Sequence, residues 1–181
     1  MKVKPTNLHD CIIIEPTVHV DQRGHFLEVF NKRELEKELN HSIELVQDNL
    51  SVSKKGVLRG LHFQKGNSSQ AKLVQVIKGA VLDVVVDLRK DSPTFKQYFK
   101  TRLSDQKIQL LFIPKGMAHG FLALEEDTIF TYKCDAYYAK ETESGIIYND
   151  EELGIHWEYP EIDFILSEKD QKLPCLRDLV L

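Results

Sequence analysis

The run Gly56-Val57-Leu58-Arg59-Gly60-Leu61-His62-Phe63-Gln64 places an arginine and a histidine three residues apart in a stretch that otherwise has the composition of a strand. Leu58, Leu61 and Phe63 supply apolar contacts, while Gly56 and Gly60 permit a turn before the run and a kink within it. A histidine titrates near neutral pH and can take or give a proton. An arginine offers a planar, charged fork that matches a carboxylate or a phosphate. A lone histidine in a strand is ordinarily a hydrogen-bonded core group, and Arg59 beside His62 turns the reading toward a site. Strict alternation, however, puts Leu58, Gly60, His62 and Gln64 on one face and Arg59, Leu61 and Phe63 on the other. A β-bulge or kink at Gly60 is therefore predicted, turning Arg59 to the side of His62.

The elements that must position this pair are mostly strands. Cys11-Ile12-Ile13-Ile14, stopped by Glu15-Pro16, is a β-branched run, and His25 to Phe30 reads as a strand after the turn Asp21-Gln22-Arg23-Gly24. Asn31 caps a short helix through about Leu39, with Leu35 and Leu39 on one face. Eight further strand candidates follow: Ile43 to Asn49, Val57 to Gln64, Leu73 to Ile77, Val81 to Leu88, Phe95 to Arg102, Gln109 to Ile113, His119 to Leu124 and Thr128 to Tyr137. Short strands at that spacing predict a sandwich or barrel, and the expected fold is all-β, a double-stranded β-helix of the jelly-roll or cupin type with a few short helices. Lys78-Gly79 reads as a hairpin turn. Leu82, Val84, Val86 and Leu88 form an apolar face, and Asp83 and Asp87 on the other face read as structural partners of arginines. The tail from Tyr148 onward shows no regular pattern.

At 181 residues with 42% hydrophobic content the chain suits one domain over residues 1–181 with one core. A net charge of -4 with interspersed signs gives no basic stripe and argues against nucleic-acid binding. The apolar runs fall far short of the roughly 20 residues of a membrane helix, and Met1-Lys2-Val3-Lys4-Pro5 lacks a signal-peptide apolar region. The expectation is a cytosolic protein without membrane attachment. Cys11, Cys134 and Cys175 are odd in number and form no CxxC pair, so they read as reduced structural thiols.

Val57-Leu58-Arg59-Gly60-Leu61-His62-Phe63-Gln64 resembles the signature of the dTDP-4-dehydrorhamnose 3,5-epimerase family. Matches in the same order include Arg23-Gly24, Phe26, Glu28, Gln47-Asp48-Asn49, Lys72-Leu73-Val74, Ala118-His119-Gly120-Phe121, Tyr132-Lys133, Tyr137-Tyr138 and Leu166-Ser167 with Lys169-Asp170. Pro114-Lys115-Gly116-Met117-Ala118-His119 is similar to the second cupin signature. The resemblance implies epimerisation of dTDP-4-dehydro-6-deoxy-D-glucose at C3 and C5, for surface polysaccharide synthesis. Removing a proton beside a ketone requires a base, a group to hold the enolate charge and an acid on the opposite face. His62, Lys72 or Arg59, and Tyr132 can fill those roles in order. The resemblance assigns His62 as base, Tyr132 as proton donor and Asp170 as the partner that orients His62. It also implies that Arg23, Phe26, Glu28, Gln47, Asn49 and Arg59 contact the dTDP moiety and that Tyr138 lies near sugar and nucleotide. His119 either lines the pocket or makes a structural hydrogen bond at a strand start, and Asp83 is a further pocket candidate.

Metal cupins usually carry two histidines and a glutamate in the first motif. Here His62-Phe63-Gln64 and His119 offer at most two good ligands, so neither a metal nor another cofactor is expected. A single-centre epimerase acting at C3 or C5 alone, or on another nucleotide-linked 4-keto sugar, would carry the same acid and base. A non-catalytic sugar- or nucleotide-binding cupin is the alternative from another class. The resemblance further implies a homodimer that shares residues near the N-terminus across its interface.

Overall fold

In the computed structural model, which describes residues 1–180, strands dominate. A first sheet of six strands has the order β1-β2-β10-β7-β12-β5, formed by Lys2–Pro5, Ile12–Glu15, Leu110–Ile113, Lys72–Lys78, Thr128–Cys134 and Gln47–Ser53. A second sheet of five strands has the order β13-β6-β11-β8-β9, formed by Glu143–Gly145, Leu58–Gln64, Met117–Ala123, Ala80–Asp87 and Tyr98–Ser104. The two sheets enclose Val74, Val76, Val81, Val85, Leu111 and Phe130, all buried. This is the expected jelly roll of cupin type. A separate hairpin, β3 (Val18–Asp21) with β4 (Gly24–Leu27), pairs only with itself.

Helix α1 (Lys32–Leu39) begins where the Asn31 side chain accepts a hydrogen bond from the Glu34 N–H at 3.3 Å. Its Leu35 is buried with Ile14, Leu73, Leu110 and Phe112, so the helix covers the outer face of the six-stranded sheet. The run expected as a strand from Ile43 pairs only from Gln47 and continues to Ser53. Phe95 to Arg102 becomes Tyr98–Ser104, and the strand expected to Phe30 stops at Leu27. Lys78-Gly79 is not a hairpin turn, because β7 and β8 belong to different sheets. Gly79, at φ +82°, carries the chain around a corner between them, where a Cβ would meet Thr128 Oγ1 at 2.6 Å.

Strand β8 corrects the reading of its two faces. Leu82, Val84 and Val86 face outward but are buried, because the irregular tail lays Leu153, Trp157, Ile162 and Leu176 over them. The face with carboxylates is the interior one. Asp83 and Asp87 are 1% and 0% exposed, which is tolerable only because each is hydrogen-bonded. Asp87 accepts from Arg89 Nε, Arg89 Nη2, Ser92 Oγ and Thr94 Oγ1 at 2.5 to 2.9 Å. Asp83 partners a histidine instead of an arginine.

Candidate active site

The predicted irregularity lies at Gly60. Strand β6 pairs with β11 through His62↔His119 and Arg59↔Phe121, and the register shifts between those pairs. Gly60 has φ +116°, a region that L side chains avoid, and a Cβ there would meet Gly120 Cα at 2.6 Å. The shift sends Leu58, Leu61 and Phe63 into the packing beneath the tail. Arg59, His62 and Gln64 turn together into a cavity of about 750 Å³ between the sheets.

Opposite walls of this cavity carry different groups. From the five-stranded sheet, His62 Nε2 meets Asp170 Oδ1 at 2.6 Å. Asp170 lies in the one-turn helix α2 (Glu168–Gln171), where its N–H donates to the capping Ser167 Oγ at 3.1 Å. Burial alone would raise the Asp170 carboxyl. The hydrogen bond and charge of His62, with help from the Gly60 N–H and Ser167, outweigh it and hold the carboxyl below the usual range. His119, the cross-strand neighbour of His62 on the same sheet, has Nε2 2.9 Å from Asp83 Oδ2 and its ring stacked on Phe130 at 6.0 Å. It therefore does both things considered for it, lining the cavity and making a buried structural hydrogen bond.

From the six-stranded sheet come Lys72 and Tyr132. Lys72 is 9% exposed, and burial depresses its ammonium pKa against the opposing charges of Asp83 and Glu143. Its Nζ lies 3.5 Å from the His62 carbonyl. Burial raises the Tyr132 phenol, with the positive charge of Arg59 partly opposing, so the hydroxyl stays protonated at neutral pH. Gln47, Asn49 and Arg59 line the same cavity, Arg59 donating to Ser53 Oγ at 3.2 Å, and Tyr138 stands half-exposed at its mouth.

Three expected contacts are not brought to this cavity by their own chain. Arg23 folds back on Asp21 at the tip of the hairpin, Phe26 is 72% exposed on it, and Glu28 accepts from Asn31 Nδ2 at 3.0 Å. Among the described residues the hairpin pairs with no other strand, so no sheet carries these side chains inward. Conversely, Glu143 and Lys169 line the cavity as an ion pair at 2.6 Å without having been singled out as site residues. Glu143 stands in a three-residue strand, too short for a periodic signal. Among the described residues no group of three or more histidines, cysteines or carboxylates converges as a metal set would. Cys11 and Cys134 are buried, which pushes their thiols up to about 12 and about 11 and away from reactivity.

Fold and cavity together define a protein of the cupin type whose polar side chains face one another from its two sheets. The dTDP-4-dehydrorhamnose 3,5-epimerase family model matches residues 5–178. A dTDP-4-dehydrorhamnose 3,5-epimerase of Methanothermobacter thermautotrophicus is 48% identical over 96% of this chain and 93% of its own. The Elizabethkingia anophelis enzyme of that name has a crystal structure at TM-score 0.95 and 49% identity, covering 98% of this chain and 97% of that one. The Legionella pneumophila dTDP-6-deoxy-D-glucose-3,5-epimerase, solved in complex with dTDP-4-keto-L-rhamnose, superposes at TM-score 0.94 with 42% identity over 99% and 94% of the two chains. The chain belongs to the dTDP-4-dehydrorhamnose 3,5-epimerase family of isomerases.

Proposed function

We propose that this chain converts dTDP-4-dehydro-6-deoxy-D-glucose to dTDP-4-dehydro-L-rhamnose by inverting C3 and C5. The observation that carries the reading is the facing arrangement of His62 with Asp170 on one wall and Tyr132 with Lys72 on the other. The C4 ketone acidifies the hydrogen on each neighbouring carbon. His62 removes one such proton and becomes a cation held against Asp170. The electron pair moves into the enolate, whose oxygen gains charge beside Lys72. Tyr132 then gives its proton to the opposite face, inverting the centre; His62 releases the abstracted proton to water, the Tyr132 phenolate takes one back from water, and the sugar ring reorients for the second step.

Arg59 suits the diphosphate, Tyr138 the thymine face, and Gln47 and Asn49 the thymine edges. Arg23, Phe26 and Glu28 are assigned to the site of a second copy, which accounts for their distance from the cavity of their own chain. Exposed Leu50 and Ile77, in a groove of about 360 Å³ on the outer face of the six-stranded sheet, support pairing into a homodimer.

Proton NMR with the substrate in deuterated water tests the chemistry. Loss of signal at both C3 and C5 is expected, and His62→Ala should lower turnover by roughly 10²–10⁴-fold while dTDP binding persists. Exchange at one carbon selects the single-centre epimerase. Binding without exchange selects the non-catalytic cupin. The shared site is tested by co-expressing His62→Ala with Arg23→Ala, since a mixed dimer holds one site with both residues intact. Restored turnover is expected, and none would rule the exchange of hairpins out.

A further inference from the structure

After Cys134 the chain leaves strand β12 and crosses the cavity mouth without regular structure until the short turn Lys140–Thr142. This segment carries Tyr137 and Tyr138, which are 71% and 53% exposed. Packing at that exposure cannot fix an aromatic ring. Its backbone is instead held by three glutamine side chains, from β5, β6 and the connection before β7. Gln70 Nε2 donates to the Ala136 carbonyl at 2.8 Å, and Gln64 Nε2 donates to the Tyr137 carbonyl at 3.3 Å. Gln47 Oε1 accepts from the Tyr138 N–H at 2.9 Å, and Gln64 Oε1 accepts from the Ala139 N–H at 2.7 Å. Tyr138 is therefore gripped on both sides of its own peptide units. Its hydroxyl makes a further bond to Glu143 Oε2 at 2.9 Å.

The chemistry of these contacts requires amides. Gln64 must donate and accept at once: its Nε2 also reaches the Ser68 carbonyl at 2.7 Å, and the residue is only 5% exposed. A carboxylate could keep the bond from Ala139 N–H but would face two carbonyl oxygens with no proton to give. We infer that Gln64 and Gln70 are positioning residues that preset the Tyr138 ring as a stacking platform, setting affinity for the base of a nucleoside diphosphate. Preordering the platform removes an entropic cost that binding would otherwise carry. The inference rests on the reading of Tyr138 as the base contact.

Titration with dTDP and steady-state kinetics on Gln64→Glu, Gln70→Leu, Tyr138→Ala and the Gln64→Glu/Tyr138→Ala pair test it. Gln64→Glu is expected to weaken dTDP binding about tenfold, the worth of one or two lost hydrogen bonds. KM should rise by a similar factor and kcat should change far less. In the Tyr138→Ala background Gln64→Glu should add no further loss, because the platform is already gone. Full additivity, or a fall in kcat with KM unchanged, overturns the inference. Unchanged dTDP affinity in Tyr138→Ala sinks the reading of that residue as the base contact. A loss in Gln64→Glu alone then shows that the amide acts by another route. Gln70→Leu removes only one donor, and carries the same test should Gln64→Glu fail to fold.

Discussion

At the scale of single residues, the site separates roles by environment. His62 is the partly open member of its pair and Asp170 the buried one, with side-chain exposures of 27% and 6%. The exposed nitrogen can therefore meet a substrate while the carboxylate stays dry and oriented. Tyr132 is different: burial raises its phenol pKa and keeps it protonated at neutral pH, as the donor role proposed for it requires. This predicts a split in the Tyr132→Phe variant. Exchange of the C3 and C5 hydrogens with deuterated water should continue, since His62 can still remove a proton and return one to the same face. Inverted product should fall by roughly 10²-fold or more. Parallel loss of exchange and product, followed by NMR, would contradict the two-wall assignment.

At the scale of elements, strand β6 carries both packing and cavity-lining side chains, and the register shift at Gly60 decides which residues go to each. Gly60→Ala would place a methyl within 2.6 Å of Gly120 Cα and 2.7 Å of His119 O, at a φ that alanine does not adopt. A destabilisation of at least about 1–3 kcal/mol is expected from the backbone alone. Thermal melting should register it as a drop of several degrees. Turnover should fall further than that destabilisation explains, because Arg59 and His62 flank the kink and move with it. This kink was legible beforehand: Arg59 and His62 could share a pocket only if alternation failed between them. Alternation in β8 was legible too, but not which face looked inward. That depended on the tail, whose Trp157 and Leu176 cover an apolar face that a bare strand would expose. The reach of Asp170 to His62 came from a resemblance alone. Across a separation of 108 residues, no local periodicity encodes a contact.

At the scale of the whole molecule, a second carboxylate does the joining. Burial would raise the Asp87 carboxyl, but bonds from Arg89, Ser92 and Thr94 outweigh it and hold the pKa at about 2. Arg89 in turn reaches the His9 carbonyl at 2.6 Å and Asp10, tying the N-terminal segment to β8. A folded pKa below the unfolded value of about 3.9 means stabilisation that is complete above pH 4 to 5 and lost as pH falls through about 2. Asp87→Asn should therefore cost on the order of 2 kcal/mol at neutral pH, roughly 4–8 °C in Tm. The gap between variant and parent should close in melts run toward pH 2. A gap that stays constant with pH would mean that the carboxylate charge contributes nothing.

The docked tail bears on how the enzyme fails as well as how it works. The same segment that delivers Asp170 to His62 shields Leu82, Val84 and Val86. If it peels away under heat, His62 loses its partner at the moment a sticky strand surface is uncovered. Inactivation and aggregation are then one event, and a quiescent, soluble but inactive form has little room to accumulate between them.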